Sequence, residues 1–167
     1  MDCIINDTNI LIDIYDIGLV EEFFNLNFSF HTTDFVLGEL LEANQKMTFN
    51  AKIKSGQLLV KKHSPQEVVE IVKYMETKEN NVSLTDCSVL LFAIKTAYTL
   101  ITGDGKLRST ARKEGTDVKG ILFLLDQLIE QGIINNTTAH EKLTQLKDCN
   151  SRLPKTEVEK RLKLWSI

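Results

Sequence analysis

Short apolar runs alternate with longer amphipathic runs over the first 120 residues, and this alternation constrains the fold more than any other feature. The short runs, bounded by turn residues, predict strands, whereas the longer runs predict helices. The predicted strands are Cys3–Asn6, Asn27–His31, Leu58–Lys61, Tyr98–Thr102 and a short one around Asp117–Lys119. Strands that alternate with helices pair mainly in parallel, so we expect an α/β fold with a sheet of four to five strands covered by helices on both faces.

Helices account for most of the remaining chain, and after residue 120 no further strand is predicted. The predicted helices are Ile10–Tyr15, Leu19–Asn25, Asp34–Ala43, Gln45–Lys54, Pro65–Lys78, Leu84–Ala97, Gly105–Glu114, Ile121–Gln131, Thr137–Cys149 and Lys155–Trp165. At 167 residues and 43% hydrophobic composition, the chain suffices for one substantial core. We therefore expect one α/β domain over residues 1–133, with residues 134–167 forming a helical C-terminal extension packed on it.

Charge and cysteine usage exclude several classes of protein. A formal charge of −3 argues against coating nucleic acid through bulk positive charge, although an enzyme with a local basic rim remains compatible with it. Cys3, Cys87 and Cys149 are too far apart for a C-x-x-C zinc or redox motif. No apolar run approaches the roughly 20 residues that a membrane span requires, and the first residues lack a basic signal region. We expect a cytoplasmic protein without membrane association.

Two acids follow predicted strands directly. Asp7 comes after Cys3–Asn6, and Asp104 comes after Tyr98–Thr102 between Gly103 and Gly105. Ligands of open α/β sheets bind beyond the carboxyl ends of the parallel strands, so both carboxylates are expected at one edge. Taken alone, Asp7 before Thr8-Asn9 is more typical of turn chemistry at a helix start, and Asp104 in G-D-G is more typical of a simple turn. Their shared location is what favours a functional site.

Two further acids lie on predicted helices. Asp86 opens the apolar helix before the strand of Asp104, although Ser83-x-x-Asp86 also matches a capping box. Glu39 lies at the border of an apolar helical stripe, and Glu42 is its rival, more typical of a solvated charge.

A cluster of four carboxylates would have a restricted chemistry. Two unit charges about 4 Å apart repel by about 4 kcal/mol at an effective dielectric of about 20, so such a cluster must take up protons or bind cations. Oxygen ligands select hard ions such as Mg²⁺ or Mn²⁺ over zinc. An ion held in this way suits hydrolysis of a phosphodiester bond.

Four segments together resemble the PIN-domain family of metal-dependent ribonucleases over approximately residues 2–120. They are INDTNILIDI with Asp7, TTDFVLGEL with Glu39, SLTDCSVLLFA with Asp86 and LITGDGKLRSTARKEG with Asp104. The resemblance implies a Rossmann-like sheet, a Mg²⁺ or Mn²⁺ site built by these four acids, and cleavage of RNA. Many small members are VapC-like toxins that an antitoxin protein neutralises, and many form homodimers, so both partners are expectations here.

Other polar residues are candidates for substrate binding. Thr8, Asn9 and Thr102 could hydrogen-bond a carboxylate or a phosphate, or only the local backbone. Lys106 and Arg108 follow Asp104 closely and could contact RNA phosphates, or form a solvated helix face. On the last helix, an apolar stripe ending at Trp165 is expected either to dock on its own domain or to contact an antitoxin or a second copy.

Two alternatives belong to other functional classes. One is a catalytically silent PIN-fold module that binds RNA or protein. The other is a Mg²⁺-dependent phosphatase, which is disfavoured because Asp7-Thr8-Asn9 lacks the second acid, two residues on, that enzymes of the haloacid-dehalogenase kind carry. Retention of all four acids favours the nuclease, since uncompensated carboxylates are costly unless a cation uses them.

Overall fold

The computed structural model describes residues 1–77 and 81–166. Its centre is a five-stranded sheet of order β3-β2-β1-β4-β5, in which all neighbouring strands are parallel. The strands are β1 (Asp2–Asn6), β2 (Phe28–Thr33), β3 (Leu58–Lys61), β4 (Thr99–Ile101) and β5 (Val118–Lys119). The predicted α/β fold class, with a Rossmann-like parallel sheet flanked by helices, is therefore confirmed.

The predicted strand Asn27–His31 ends too early. Strand β2 continues to Thr33, because Thr32 and Thr33 pair in register with Val60 and Lys61 of β3. The two threonines are polar and precede a helix, so the pattern of apolar residues did not include them in the strand. Both are fully buried, and Thr32 Oγ1 donates a hydrogen bond of 2.9 Å to the carbonyl of Asn6.

Ten helices surround this sheet in the part of the chain that the structure describes. They are α1 (Thr8–Asp16), α2 (Val20–Phe24), α3 (Asp34–Glu39), α4 (Ala43–Lys54), α5 (Pro65–Glu76), α6 (Leu84–Thr96), α7 (Gly105–Lys113), α8 (Ile121–Glu130), α9 (Asn136–Cys149) and α10 (Lys155–Trp165). Most bounds agree with the predictions to within two residues. The predicted end of the fifth helix at Lys78 lies outside the described residues.

The predicted helix Asp34–Ala43 is wrong in its second half. Helix α3 ends at Glu39, because Leu40 adopts an extended conformation with φ −68° and ψ 113°. This conformation accompanies nearly complete burial of the Leu40 side chain, which is 1% exposed. Glu39 consequently stands at the end of its helix rather than in the middle.

The C-terminal helices share the core of the sheet. Ala139, Leu143 and Leu146 of α9, with Val158 and Trp165 of α10, belong to the same buried apolar cluster as the strands. The apolar stripe of the last helix therefore docks on its own domain, whereas the boundary at residue 133 stays a prediction. Among the described residues, no helix is long and apolar enough to cross a membrane.

Candidate active site

The two acids that follow strands meet at the carboxyl edge of the sheet. Strands β1 and β4 are neighbours, and the pairing continues past their ends with a hydrogen bond of 3.1 Å from Asp7 N to Ile101 O. The chain passes from β1 to β2 and β3 on one side, and returns to β4 and β5 on the other. This switch in strand order leaves a crevice between the loops after β1 and β4, where open α/β sheets bind ligands.

All four predicted acids line one cleft of about 270 Å³ at this edge. Asp7 comes from the end of β1, Glu39 from the end of α3, Asp86 from the start of α6 and Asp104 from the start of α7. The other lining residues are Thr8, Asn9, Ile12 and Arg152. Carboxylates separated by up to 97 positions in the chain are thus brought to one opening.

Asp7 is the most buried of the four, and its carboxylate is held by three donors. It caps α1 by accepting from Thr8 N at 2.8 Å, and it also accepts from Asn9 Nδ2 at 2.5 Å and from Thr102 Oγ1 at 2.7 Å. The same carboxylate therefore both starts a helix and lines the cleft. Its orientation is fixed by donors from two sides of the crevice.

Burial raises the pKa of Asp7 from 3.8 to about 6, and the negative charges of Asp86 and Glu39 add to the effect. The hydrogen bonds from Thr102 and Thr8 oppose the shift in pKa without cancelling it. Ionisation of Asp7 therefore lowers the stability of the folded protein, and a bound cation would offset this loss of stability.

Asp86 and Asp104 also combine a local role with a place in the cleft. Asp86 completes a capping box with Ser83, and burial, followed by the charges of Asp104 and Glu39, raises its pKa. Asp104 caps α7 through a hydrogen bond of 2.8 Å from Leu107 N to its Oδ1. Each capping bond fixes a carboxylate at the helix start, which here faces the crevice.

Glu39 is the most exposed of the four acids, and it too has a side-chain partner. Its Oε2 accepts a hydrogen bond of 2.5 Å from Thr8 Oγ1, which connects α3 to the start of α1. Glu42 caps α4 by its backbone alone and is not among the residues lining the cleft. The structure therefore places Glu39, rather than its rival, beside the other acids.

Asn9 bridges the two strand ends. Its Nδ2 donates to Asp7, while its Oδ1 accepts a hydrogen bond of 2.7 Å from Gly103 N. A Cβ atom at Gly103 would lie 3.1 Å from that Oδ1, so glycine permits this close approach. Space, rather than a positive φ angle, is the reason for glycine here.

The two cations predicted to bind substrate lie beside the cleft rather than in it. Arg108 is half-buried and donates from Nη1 to Thr102 O at 2.9 Å and to Lys119 O at 2.8 Å, so it braces the ends of β4 and β5. Lys106 is exposed on α7. Neither lines the acidic cleft, although Arg108 does line a neighbouring groove.

Arg152 is the one cleft residue of clear chemical interest that the sequence did not indicate. It lies in the turn between α9 and α10, which correspond to the last two predicted helices, and it adds a guanidinium group to a cleft lined by four acids. No local pattern could have found it, because its position depends on how the C-terminal helices pack.

The donor set fits a hard divalent cation in charge and in ligand type. In the described hydrogen bonds, Glu39, Asp86 and Asp104 each engage one carboxylate oxygen, which leaves the second for a ligand. The oxygens do not yet converge, since no three His, Cys, Asp or Glu side chains of residues 1–77 and 81–166 are grouped closely enough to hold an ion. Holding one therefore requires changes of side-chain rotamer within the cleft.

Comparison with known proteins places the chain in a structural family. A family model described as DUF3368, a PIN domain, matches residues 3–166. Among solved structures, the chain is similar to a PilT N-terminus domain protein from the hyperthermophilic archaeon Sulfolobus solfataricus. The sequence identity is 14%, the TM-score is 0.46, and the match covers 77% of this chain and 94% of that one. A search of curated proteins finds no match.

Proposed function

The chain belongs to the PIN-domain family, whose members are generally nucleases that use divalent metal ions, and from this premise we propose that it is an endoribonuclease dependent on Mg²⁺ or Mn²⁺. The observation that carries the proposal is that four carboxylates from four separate elements line one cleft at the carboxyl edge of the sheet. A structural role alone would not gather four carboxylates in one cleft, because burial raises the pKa of Asp7 and Asp86 and the neighbouring negative charges raise both further.

The chain's own residues have distinct parts in this proposal. Asp7, Asp86 and Asp104 would hold the ion, and Glu39 would bind it directly or orient a water molecule beside it. A divalent ion held by carboxylates supplies an activated water and charge stabilisation for in-line phosphodiester hydrolysis. Thr102 and Asn9 keep Asp7 oriented toward the cleft through their hydrogen bonds.

RNA cleavage tests the proposal. The purified protein is incubated with a mixed pool of structured RNA and Mn²⁺ or Mg²⁺, and the same reaction is run with EDTA. We expect metal-dependent cuts that leave 5′ phosphates, and their loss in Asp7→Asn. Asp148→Asn is the matched control, because Asp148 is an exposed acid on α9 outside the cleft.

Two results would redirect the proposal. Binding of RNA without cleavage, by folded protein that binds Mn²⁺, would assign a catalytically silent binding module. Hydrolysis of a phosphomonoester with no effect on RNA would assign a phosphatase.

We also propose an antitoxin partner as the setting in which such an enzyme acts. If the chain is the toxin of a toxin-antitoxin pair, its expression arrests growth, Asp7→Asn relieves the arrest, and a small protein encoded beside it restores growth to cells expressing the unmodified chain. Growth unaffected by active enzyme would exclude the toxin role. A homodimer, the other expected partner, is tested by sedimentation.

A further inference from the structure

A groove of about 700 Å³ lies next to the acidic cleft and takes no part in the chemistry described so far. One end is formed by Thr102, Gly103 and Gly105, which flank Asp104. Its walls are α7, the start of α8 and the turn between α9 and α10. Arg152 lines both the cleft and this groove, so the two spaces meet at its side chain. We call this space the arginine groove.

The charge of the arginine groove differs from that of the chain as a whole. Four guanidinium groups line it, from Arg108, Arg112, Arg152 and Arg161, although the formal net charge of the protein is −3. Two of the four are committed to the protein itself. Arg161 pairs with Asp126 at 2.6 Å and with Glu157 at 3.0 Å, and Arg108 donates to two carbonyls.

The other two arginines have fewer partners in the protein, since Arg152 Nε donates one long hydrogen bond of 3.5 Å to Asn150 Oδ1. Arg112, on α7, and Arg152, in the C-terminal turn, are both exposed. The groove is also lined by apolar side chains of α8 and of the turn, which we call its apolar floor, among them Leu122 and Leu153. Exposed guanidinium groups beside an apolar floor match the needs of an unpaired nucleic-acid strand, whose phosphates are anionic and whose bases are free to pack on apolar surface. A duplex would hide its bases from this floor.

The turn that carries Arg152 is fixed from within. Asn150 is 7% exposed and donates from Nδ2 to the buried carboxylate of Asp13 at 2.8 Å, while its Oδ1 accepts from Arg152 N at 3.0 Å. Leu153 packs against the core on the other side of the arginine. A guanidinium on an anchored turn loses less conformational entropy on binding than one on a free loop.

We propose that the arginine groove binds the single-stranded RNA that adjoins the scissile phosphate, with Arg152 contacting the phosphate nearest the acidic cleft and Arg112 one further along. This inference rests on the proposed ribonuclease function and adds to it the path and the single-stranded form of the substrate. It also gives the C-terminal helices a function, because they supply one wall of the substrate site.

Direct binding tests the arginine groove without requiring catalysis. A fluorescein-labelled single-stranded oligoribonucleotide of mixed sequence is titrated with protein in EDTA, and anisotropy is followed at several salt concentrations. We expect Arg152→Gln and Arg112→Gln each to bind about five-fold more weakly than the unmodified protein. The slope of log affinity against log salt should fall by about 0.7 for each phosphate of the single strand that a variant no longer neutralises.

Lys163→Gln is the matched control, because it removes the same charge from an exposed position of α10 that does not line the groove. We expect its affinity and salt slope to equal those of the unmodified protein. Equal affinities for Arg152→Gln and Lys163→Gln, or no RNA binding at all, would overturn the inference. An acidic peptide whose binding depends on Arg152, together with RNA binding that does not, would assign the groove to a protein partner instead.

The outcomes for groove and enzyme are separable. RNA binding that depends on Arg152, in a protein that cuts no RNA, would support the inference on the groove and contradict the proposed nuclease activity. If Arg152→Gln cuts RNA in a metal-dependent way with unchanged KM and kcat, the proposed nuclease activity is supported and the inference on the groove is contradicted.

Discussion

Asp7 combines near-complete burial with a negative charge, and this combination makes stability depend on pH. Its pKa is raised from 3.8 to about 6, so between these values the folded protein holds more protons at this site than the unfolded chain does. The free energy of unfolding therefore falls as pH rises through this window, and the loss persists above it. A shift of this size corresponds to about 3 kcal/mol at most.

Asp7→Asn should remove this pH-dependent loss of stability in the metal-free protein. Relative to the unmodified chain, we expect the variant to gain stability progressively from pH 4 to pH 6, reaching at most about 3 kcal/mol at pH 7.5. The gain will be smaller where an amide satisfies the three donors around Asp7 less well than a carboxylate does. Urea unfolding in EDTA across this range measures the difference. If the difference in unfolding free energy between Asp7→Asn and the unmodified chain depends on pH no more than that of Asp148→Asn does, then ionised Asp7 does not destabilise the folded protein.

Thr102 offsets part of the rise in pKa that burial causes at Asp7. Its hydroxyl donates 2.7 Å to Asp7 Oδ2, and this bond lowers the pKa of the carboxyl. Thr102→Val should therefore raise the pKa of Asp7 above about 6, as measured by NMR titration of carboxyl carbons. Thr99→Val is the control, since Thr99 begins the strand that precedes Thr102 and its hydroxyl donates an exposed hydrogen bond to Asp117. An unchanged or lowered pKa in Thr102→Val would refute the assigned bond.

At the scale of elements, the predicted strands allowed most of the site to be located from the sequence. Asp7 and Asp104 could be assigned to one edge because the parallel strands of a sheet have their carboxyl ends at the same edge. The end of α3 was missed, since the extended backbone of Leu40 depends on the core that buries its side chain. Arg152 was missed for a related reason, because the packing of α9 and α10 decides where its turn lies.

Helix α9 should be as necessary for stability as the elements around the sheet. Leu143 is fully buried in the common core, whereas Leu164 on α10 is 64% exposed. We expect Leu143→Ala to lower the free energy of unfolding by about 2–5 kcal/mol. Leu164→Ala should change it by less than about 0.5 kcal/mol. Unfolding followed by both tryptophan fluorescence and circular dichroism should give one coincident transition, and two separate transitions would show that residues 134–167 fold independently.

At the scale of the whole molecule, the four acids should couple metal binding to stability. A ligand that binds only the folded state at 100 times its Kd stabilises that state by about 2.7 kcal/mol. We therefore expect Mn²⁺ to raise the Tm of the unmodified protein and of Asp148→Asn, and to leave that of Asp7→Asn nearly unchanged. Equal shifts of Tm in all three proteins would place the ion elsewhere.

The central claim is that the acids of one cleft hold a divalent ion, and anomalous scattering tests it most directly. Crystals grown with Mn²⁺ are measured near the manganese absorption edge, and an anomalous difference map is calculated. We predict a peak among the carboxylates of Asp7, Asp86 and Asp104, with Glu39 bound to it directly or through one water molecule. A map with no peak in the cleft, from protein saturated with Mn²⁺, would contradict the claim.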